Sequence, residues 1–448
     1  MFKTDGEGSS ERGNVRQAMT ALVRFLNNNM GVQVPLAPIS ANGVNIRIAE
    51  GNPEDAIRHA FTNLKDQGKI PALALVTFPK IGNANNIPIY NAVKRLADVE
   101  FGFHTVCMAR EVLTKDKVTY YANVGLKVNL KFGGINHKLH VDLPVLKEGK
   151  TMVVGYDVIH PTGLGGSNKE LPSQVGMVAS VDADLGQWPT TSWNQKGGQE
   201  MLDNSLYAAF RGRLALWRLR NKNTKNELPE NVLFFRDGVS ESQYGQVIRE
   251  ELPHIRRACE DEYGRGKRGP KLTMVVSVKR HHTRFYPTTA EGMSSTGNVR
   301  NGTVVDRGVT LARYWDFFLT AHHAGQGTAR PARYTVLLDE IFRPRVGPGA
   351  ADLLEKVTHE LCYIYGRATK AVNICPPAYY ADIVCKRASV HMSDVFDRVA
   401  ATMPTDRDEA RAKARAKAGA GEGDPAPPPP PIPQRKVHRN IVNDMYYI

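Results

Sequence analysis

Cysteine is scarce. The chain of 448 residues holds five, at Cys107, Cys259, Cys362, Cys375 and Cys385, and no two stand as Cys-x-x-Cys. An odd, scattered set excludes a disulfide framework and a thiolate zinc site. It fits a reducing compartment. Long apolar runs are missing as well: nothing approaches the roughly 20 residues that span a bilayer. The polar start MFKTDGEGSSERGN has no apolar signal core. These absences predict a cytoplasmic protein, with the nucleus also allowed, and no membrane partner. Acid is short relative to base, with 45 Asp and Glu against 59 Lys and Arg and a formal charge of +14. Basic tails alone would be the bland account. Basic residues recur through the folded-looking part, however, so a polyanionic partner, nucleic acid first, is the better expectation.

Apolar strand patterns alternate with amphipathic helical ones, which predicts an α/β protein. Residues 72–78 and 104–109 read as strands, and 89–102 and 119–134 as helices, giving a small α/β domain over 31–147. Residues 1–30 read as a linker or the edge of a longer chain. A second domain with a mixed sheet is expected over 148–448. Its strands are predicted at 152–159, 175–185, 231–235, 272–282 and 334–340, and its helices at 198–220, 240–263, 352–368 and 378–392. The first strands follow one another closely, as in an antiparallel meander. Residues 405–437, with their charge, Ala/Gly and consecutive prolines, cannot bury enough apolar surface to order themselves. They read as a disordered insertion, after which the aromatic end VHRNIVNDMYYI looks docked.

Four carboxylates stand out. Asp157 lies inside an otherwise apolar strand, Asp237 ends the strand NVLFF at an Asp-Gly turn, Glu200 opens the 198–220 helix, and Asp382 lies early in the 378–392 helix. Each alone has a structural explanation: backbone hydrogen bonds, turn punctuation, a first-turn acid, a solvated face. Burying a lone carboxylate is costly unless it is paired or binds metal. Three or four of them converging from strand ends and a helix suit two-metal phosphodiester hydrolysis with Mg²⁺.

The ordered segments VGYDVIHP, NQKGGQE, FFRDGVSESQYGQV, VKRHHTRFYP, GTARPARYTVLLDE and CPPAYYADIVCKRA resemble the C-terminal half of eukaryotic Argonaute proteins, most of all their filamentous-fungal quelling members. The resemblance covers about 72–448 apart from the Pro-rich insertion. It implies a Rossmann-like MID domain followed by a ribonuclease H-like PIWI domain. It also implies a slicer tetrad of Asp157, Glu200, Asp237 and Asp382, with Asp157, Asp237 and Asp382 as ligands of Mg²⁺ (Mn²⁺ in its place). Glu200 would ride on a mobile loop, which Gly197 and Gly198 permit.

Tyr90 and Lys94 are spaced i, i+4, as are Lys127 and Lys131. A lysine pair such as the second is ordinarily solvated, but its like charges at this spacing welcome an anion. The resemblance assigns them to the pocket for the 5′-phosphate of a guide strand, with Tyr90 stacking on the first base. Thr105 would replace the glutamine of many relatives, since Val106 occupies that position. Arg387 lies five residues after Asp382, about 140° around a helix, so one helix can serve both sites. The carboxylate of Ile448 is expected beside the pocket. Lys279, Arg280 and Arg284 form a basic cluster read as phosphate-backbone contacts, with Arg367 a weaker member. The loop 79–88 is where the family reads the first base.

The leading expectation is therefore a monomeric RNA-guided endoribonuclease with a small 5′-phosphorylated guide RNA, a complementary target RNA and silencing cofactor proteins as partners. A guide-loaded platform that recruits partners without cleaving is the alternative. An unguided ribonuclease H-type nuclease, which would not need the 5′-phosphate pocket, is the third.

Overall fold

The computed structural model describes residues 2–3, 9–32, 46–47, 52–78, 87–140, 143–146, 150–161, 171–222, 224, 227–402 and 433–448. Most of the loop 79–88 and of the insertion 405–437 lies outside them.

In the N-terminal unit, helices α1 (Ser9–Asn29) and α2 (Pro53–Asp66) precede strand β1 (Leu73–Phe78). Then come α3 (Ile87–Arg95), β2 (His104–Ala109) and α4 (Val118–Lys131). Asn52 caps α2, its side chain accepting the Glu54 amide at 3.1 Å. Strands β1 and β2 pair in parallel from Leu73↔His104 to Phe78↔Ala109, so a helical crossover must join them. Apolar side chains cover both faces of the pair. Ile57, Phe61, Ile89, Val93 and Phe103 form one layer, and Leu22, Leu26, Val106, Tyr121 and Val124 the other. The segment read as a linker or chain edge thus contains a helix whose Leu22, Val23 and Leu26 are buried. α1 and α2 both escaped the sequence reading.

The larger unit is built on β3 (Thr151–Ile159), β4 (Ser173–Ala179), β5 (Thr190–Gln195), β6 (Asn231–Asp237), β7 (Lys271–Val278), β8 (Thr303–Val305), β9 (Trp315–Thr320) and β10 (Ala332–Asp339). They form one sheet in the order β8-β9-β10-β7-β6-β3-β4-β5. The expected meander is there: β3, β4 and β5 are antiparallel, while β3, β6 and β7 run parallel. Both faces of β3 are covered, which explains its nearly continuous apolar run. Met152, Val154 and Tyr156 face α5 (Ser205–Arg220) and α6 (Leu252–Tyr263). Val153 faces α7 (Ala350–Leu361), α8 (Pro376–His391) and the chain's last residues.

Several boundaries moved. The strand expected to reach 185 stops at Ala179, because Asp182 turns the chain by accepting the Gly186 and Gln187 amides at 3.0 and 2.8 Å. β5, β8 and β9 were not anticipated, and β7 ends at Val278 rather than 282. The helix expected from 198 begins at Ser205, whose amide donates to Asp203 at 2.8 Å. Glu200 therefore does not open a helix; it sits in the irregular segment between β5 and α5.

Candidate functional site

The C-terminal ends of β3, β6 and β7 bring the first carboxylates together. Tyr156 pairs with Arg236 in the parallel register, so the next residues, Asp157 and Asp237, are neighbours. Asp237 in turn faces Ser277 of β7. Gly238 adopts φ +82°, turning the chain away; a Cβ there would stand 3.7 Å from Asp157 Oδ1. α8 packs across β3 and β4 because two glycines admit it. A Cβ at Gly155 would meet Pro377 O at 2.0 Å, and one at Gly176 would meet Ala381 O at 2.8 Å. Cys385 of α8 donates its thiol to Asp157 O at 3.2 Å. This packing holds Asp382 near the two strand-end carboxylates.

Burial raises the Asp157 carboxyl to about 6; Arg236 opposes the rise, while Asp382 and Glu200 add to it. Burial, then repulsion from Asp157 and Asp382, pushes Asp237 well above the carboxylate range. Asp157 and Asp237 thus resist ionising together, with the Asp382 charge acting on both. Each, however, is engaged by protein. Asp157 Oδ1 accepts the Val158 amide at 2.8 Å. Asp237 Oδ1 lies 3.4 Å from the Ser277 hydroxyl. Asp382 Oδ2 pairs with Lys386 Nζ at 2.6 Å. Among the described residues, no three His, Cys, Asp or Glu side chains are drawn together as a ligand shell.

Glu200 is held just behind. Its Oε1 lies 2.8 Å from Arg236 Nη2 and its Oε2 3.0 Å from His160 Nε2. Arg236 also donates to the Glu200 carbonyl at 2.9 Å and the Asp237 carbonyl at 2.8 Å. Neither Arg236 nor His160 was singled out from the sequence, although Arg236 adjoins Asp237 and His160 lies three residues after Asp157.

A second site lies where α3, β2 and α4 meet α8 and the C-terminus. Tyr90, Lys94, Thr105, Val106, Cys107, Lys127, Arg367, Lys386, Arg387 and Ile448 all line one cavity of about 310 Å³. Lys94 Nζ donates to Thr105 O and Oγ1 at 2.8 and 2.7 Å, and lies 5.8 Å from the centre of the Tyr90 ring. Burial, then the Arg367 and Lys94 charges, depress Lys127 to about 8. Asp98, buried below α3, offsets part of this charge by accepting Arg387 Nη1 at 2.7 Å and contacting His391 Nε2 at 3.0 Å. Asp98 was missed because Glu100, two residues on in the same segment, looks no different in the sequence.

Three assignments change. Lys131 does not line the cavity. It is 1% exposed and donates to the Tyr446 carbonyl, so it anchors the C-terminal segment behind the pocket wall. Arg367 belongs to this cavity rather than to the basic cluster after β7. Arg284 Nη1 is spent on the His281 and Thr283 carbonyls, at 3.0 and 2.7 Å. Of that cluster, Lys279 senses the charges of Asp237 and Asp382, which puts it at the carboxylate end of the sheet. Arg280 is exposed.

The chain is similar to known proteins. The model of the Piwi domain matches residues 80–393. Rice (Oryza sativa subsp. japonica) protein argonaute 18 is 38% identical over 323 residues, covering 69% of this chain but only 28% of that protein. The N. crassa QDE-2 AGO MID-PIWI structure aligns with a TM-score of 0.65 at 35% identity, over 100% of this chain and 95% of that one. The C-terminal lobe of a budding yeast Argonaute aligns at 0.80 and 27%, over 100% and 84%.

Proposed function

This chain belongs to the Argonaute family, and from that premise we propose that it acts in small-RNA-guided silencing, holding the 5′-phosphate of a guide RNA and cleaving complementary target RNA. One observation carries the reading: Tyr90, Lys94, Lys127, Arg367 and Arg387, drawn from separate elements of both units, converge on one cavity. A phosphate monoester near −2 charge is the ligand that such a cluster lacks. The Tyr90 ring at the cavity wall offers a stacking platform for the first base. Specificity then comes from base pairing along the guide, with Lys279 and Arg280 as contacts to backbone phosphates.

For cleavage, Asp157, Asp237 and Asp382 would hold magnesium, or manganese in its place. Bound there, magnesium supplies an activated water and stabilises the leaving oxygen. The chain's own part is to fix two carboxylates on rigid strand ends and the third on α8. Arg236 and His160 keep Glu200 at the margin of the site. The test is binding and cleavage with 5′-phosphorylated and 5′-hydroxyl guides. Lys94→Ala and Lys127→Ala are expected to abolish discrimination between the two. Asp237→Ala is expected to end cleavage with guide binding intact; full cleavage by that variant overturns the nuclease reading.

The second reading, a guide-binding platform that recruits silencing proteins without cutting, is favoured by one feature: every carboxylate of the set is already engaged by a protein group. Guide binding without metal-dependent cleavage at any target length would decide for it.

A further inference from the structure

Lys386 belongs to two sites at once. Its ammonium lies 2.6 Å from Asp382 Oδ2, one helical turn back on α8, and its side chain also lines the phosphate cavity with Arg387 and Lys127. It is held differently from two of the cavity's other cations. Arg387 is fixed by the buried Asp98, and Lys94 by Thr105. Lys386 instead has 66% of its side chain exposed. Its long flexible stem carries a compact charge that can swing between partners at little cost.

The two positions have opposite consequences. On Asp382, the ammonium occupies a carboxylate oxygen and places a positive charge where a dication would have to bind. In the cavity, the same ammonium adds to the charge that a phosphate meets, and Asp382 is released. A phosphate monoester near −2 outcompetes a single carboxylate for it.

We propose that Lys386 couples the two sites: a 5′-phosphate in the cavity draws its ammonium away from Asp382 and so tightens divalent-cation binding at the Asp157, Asp237 and Asp382 centre. This deepens the function proposed above and rests on it. By linkage, the cation must tighten phosphate binding by the same factor. The factor is modest, because a largely exposed ion pair is worth only about a two- to five-fold bias.

The test measures Mn²⁺ binding to the full chain by electron paramagnetic resonance, with a correction for Mn²⁺ held by the nucleotide alone. The probes are uridine 5′-monophosphate and, as the control without phosphate, uridine. In the wild type the monophosphate is expected to tighten Mn²⁺ about two- to five-fold, and uridine to leave it unchanged. Lys386→Met keeps the stem and a good helix former but removes the charge. It is expected to bind Mn²⁺ about two- to five-fold more tightly without nucleotide, and to gain nothing further from the monophosphate. Unchanged Mn²⁺ affinity in Lys386→Met, or tightening by the monophosphate that persists in it, overturns the coupling while the metal centre stands. Mn²⁺ binding that survives Asp237→Asn undiminished removes the centre itself, and with it both the coupling and the cleavage reading, while phosphate binding in the cavity stands.

Discussion

Asp382 and Arg387 share one helix and serve different sites. Arg387, which lines the cavity at the C-terminus, reaches the buried Asp98 at 2.7 Å, while Asp382 turns to the strand-end carboxylates, whose charge state it alters. α8 is therefore the rigid part common to both, and whatever displaces it disturbs both. Its seat is set by Gly155 and Gly176, where backbone passes against backbone.

Gly155→Ala is the direct test of that seat. The new Cβ would stand 2.0 Å from the Pro377 carbonyl oxygen, and backbone cannot step aside as a side-chain tip can. The expected loss is about 1–3 kcal/mol of stability, with weaker binding of both Mn²⁺ and uridine 5′-monophosphate. Gly212→Ala, in the exposed middle of α5 with nothing within 4 Å of the added carbon, is the control. It is expected to gain about 0.4–1 kcal/mol. Urea denaturation reads both, and equal effects from the two variants would contradict the packing argument.

Asp98 tests how the cavity tolerates its own charge. Burial acts to raise this carboxyl, but Arg387 and His391 overcome it and hold it well below the usual range. Its stabilising contribution is thus present above the ordinary carboxylate pKa and lost as the solution becomes more acidic. Asp98→Ala leaves the 6% exposed Arg387 without its carboxylate partner, for an expected loss of about 3–5 kcal/mol. Adding Arg387→Met should restore part of that stability while leaving phosphate binding weak. Losses that simply add would mean the two residues do not act as a pair.

The sequence disclosed chemistry better than boundaries. Asp157 and Asp237 were legible because a carboxylate inside or at the end of an apolar strand needs a reason. Lys94, Lys127 and Arg387 were legible through helical spacing together with the resemblance. Lys131's place beneath the C-terminal segment was not legible, because the i, i+4 spacing that pairs it with Lys127 says nothing about which turn ends there. Arg236 was overlooked because a basic residue beside Asp237 looks like an ordinary strand end. Only the fold reveals that its side chain points inward, 5.4 Å from the Tyr156 ring centre. Strands β8 and β9 lie in a stretch rich in polar and turn residues, where tertiary pairing rather than local pattern decides the outcome.

Lys127 gives phosphate binding a pH window. Burial and neighbouring cations lower it to about 8, so it is charged below that value and neutral above. The ligand's second ionisation lies near about 6. Affinity for uridine 5′-monophosphate is expected to plateau between these limits and to decline on both sides. The protein's own stability follows the opposite sense on the alkaline side. Between about 8 and 10 the unfolded chain still binds the proton that folded Lys127 has released, so stability rises with pH there. Calorimetric titrations against pH check the window. Lys127→Met should remove the alkaline limb and leave the acidic one; an unchanged alkaline limb would assign it to another group.

Arg236 is the clamp on Glu200, and its geometry makes a sharp prediction. One Nη2 serves the Glu200 carboxylate at 2.8 Å and the Glu200 carbonyl at 2.9 Å, while Nη1 serves the Asp237 carbonyl at 2.8 Å. Glu251, fully buried, stands 3.5 Å away and accepts the Tyr156 hydroxyl at 3.0 Å. Burial alone would disfavour the guanidinium, yet Glu251 and Glu200 hold its pKa above the ordinary value. Arg236→Met leaves buried carboxylates without a counter-charge and should cost about 3–5 kcal/mol. Arg236→Lys keeps the charge but not the planar fork, so it should recover only part of that. It should also leave residues 196–204 exchanging their amide protons faster than in the wild type, with exchange in β3 and β6 little changed. Hydrogen exchange read by mass spectrometry separates the outcomes. Slow exchange over 196–204 in Arg236→Lys would mean that charge alone, rather than the fork, keeps Glu200 beside the carboxylate set.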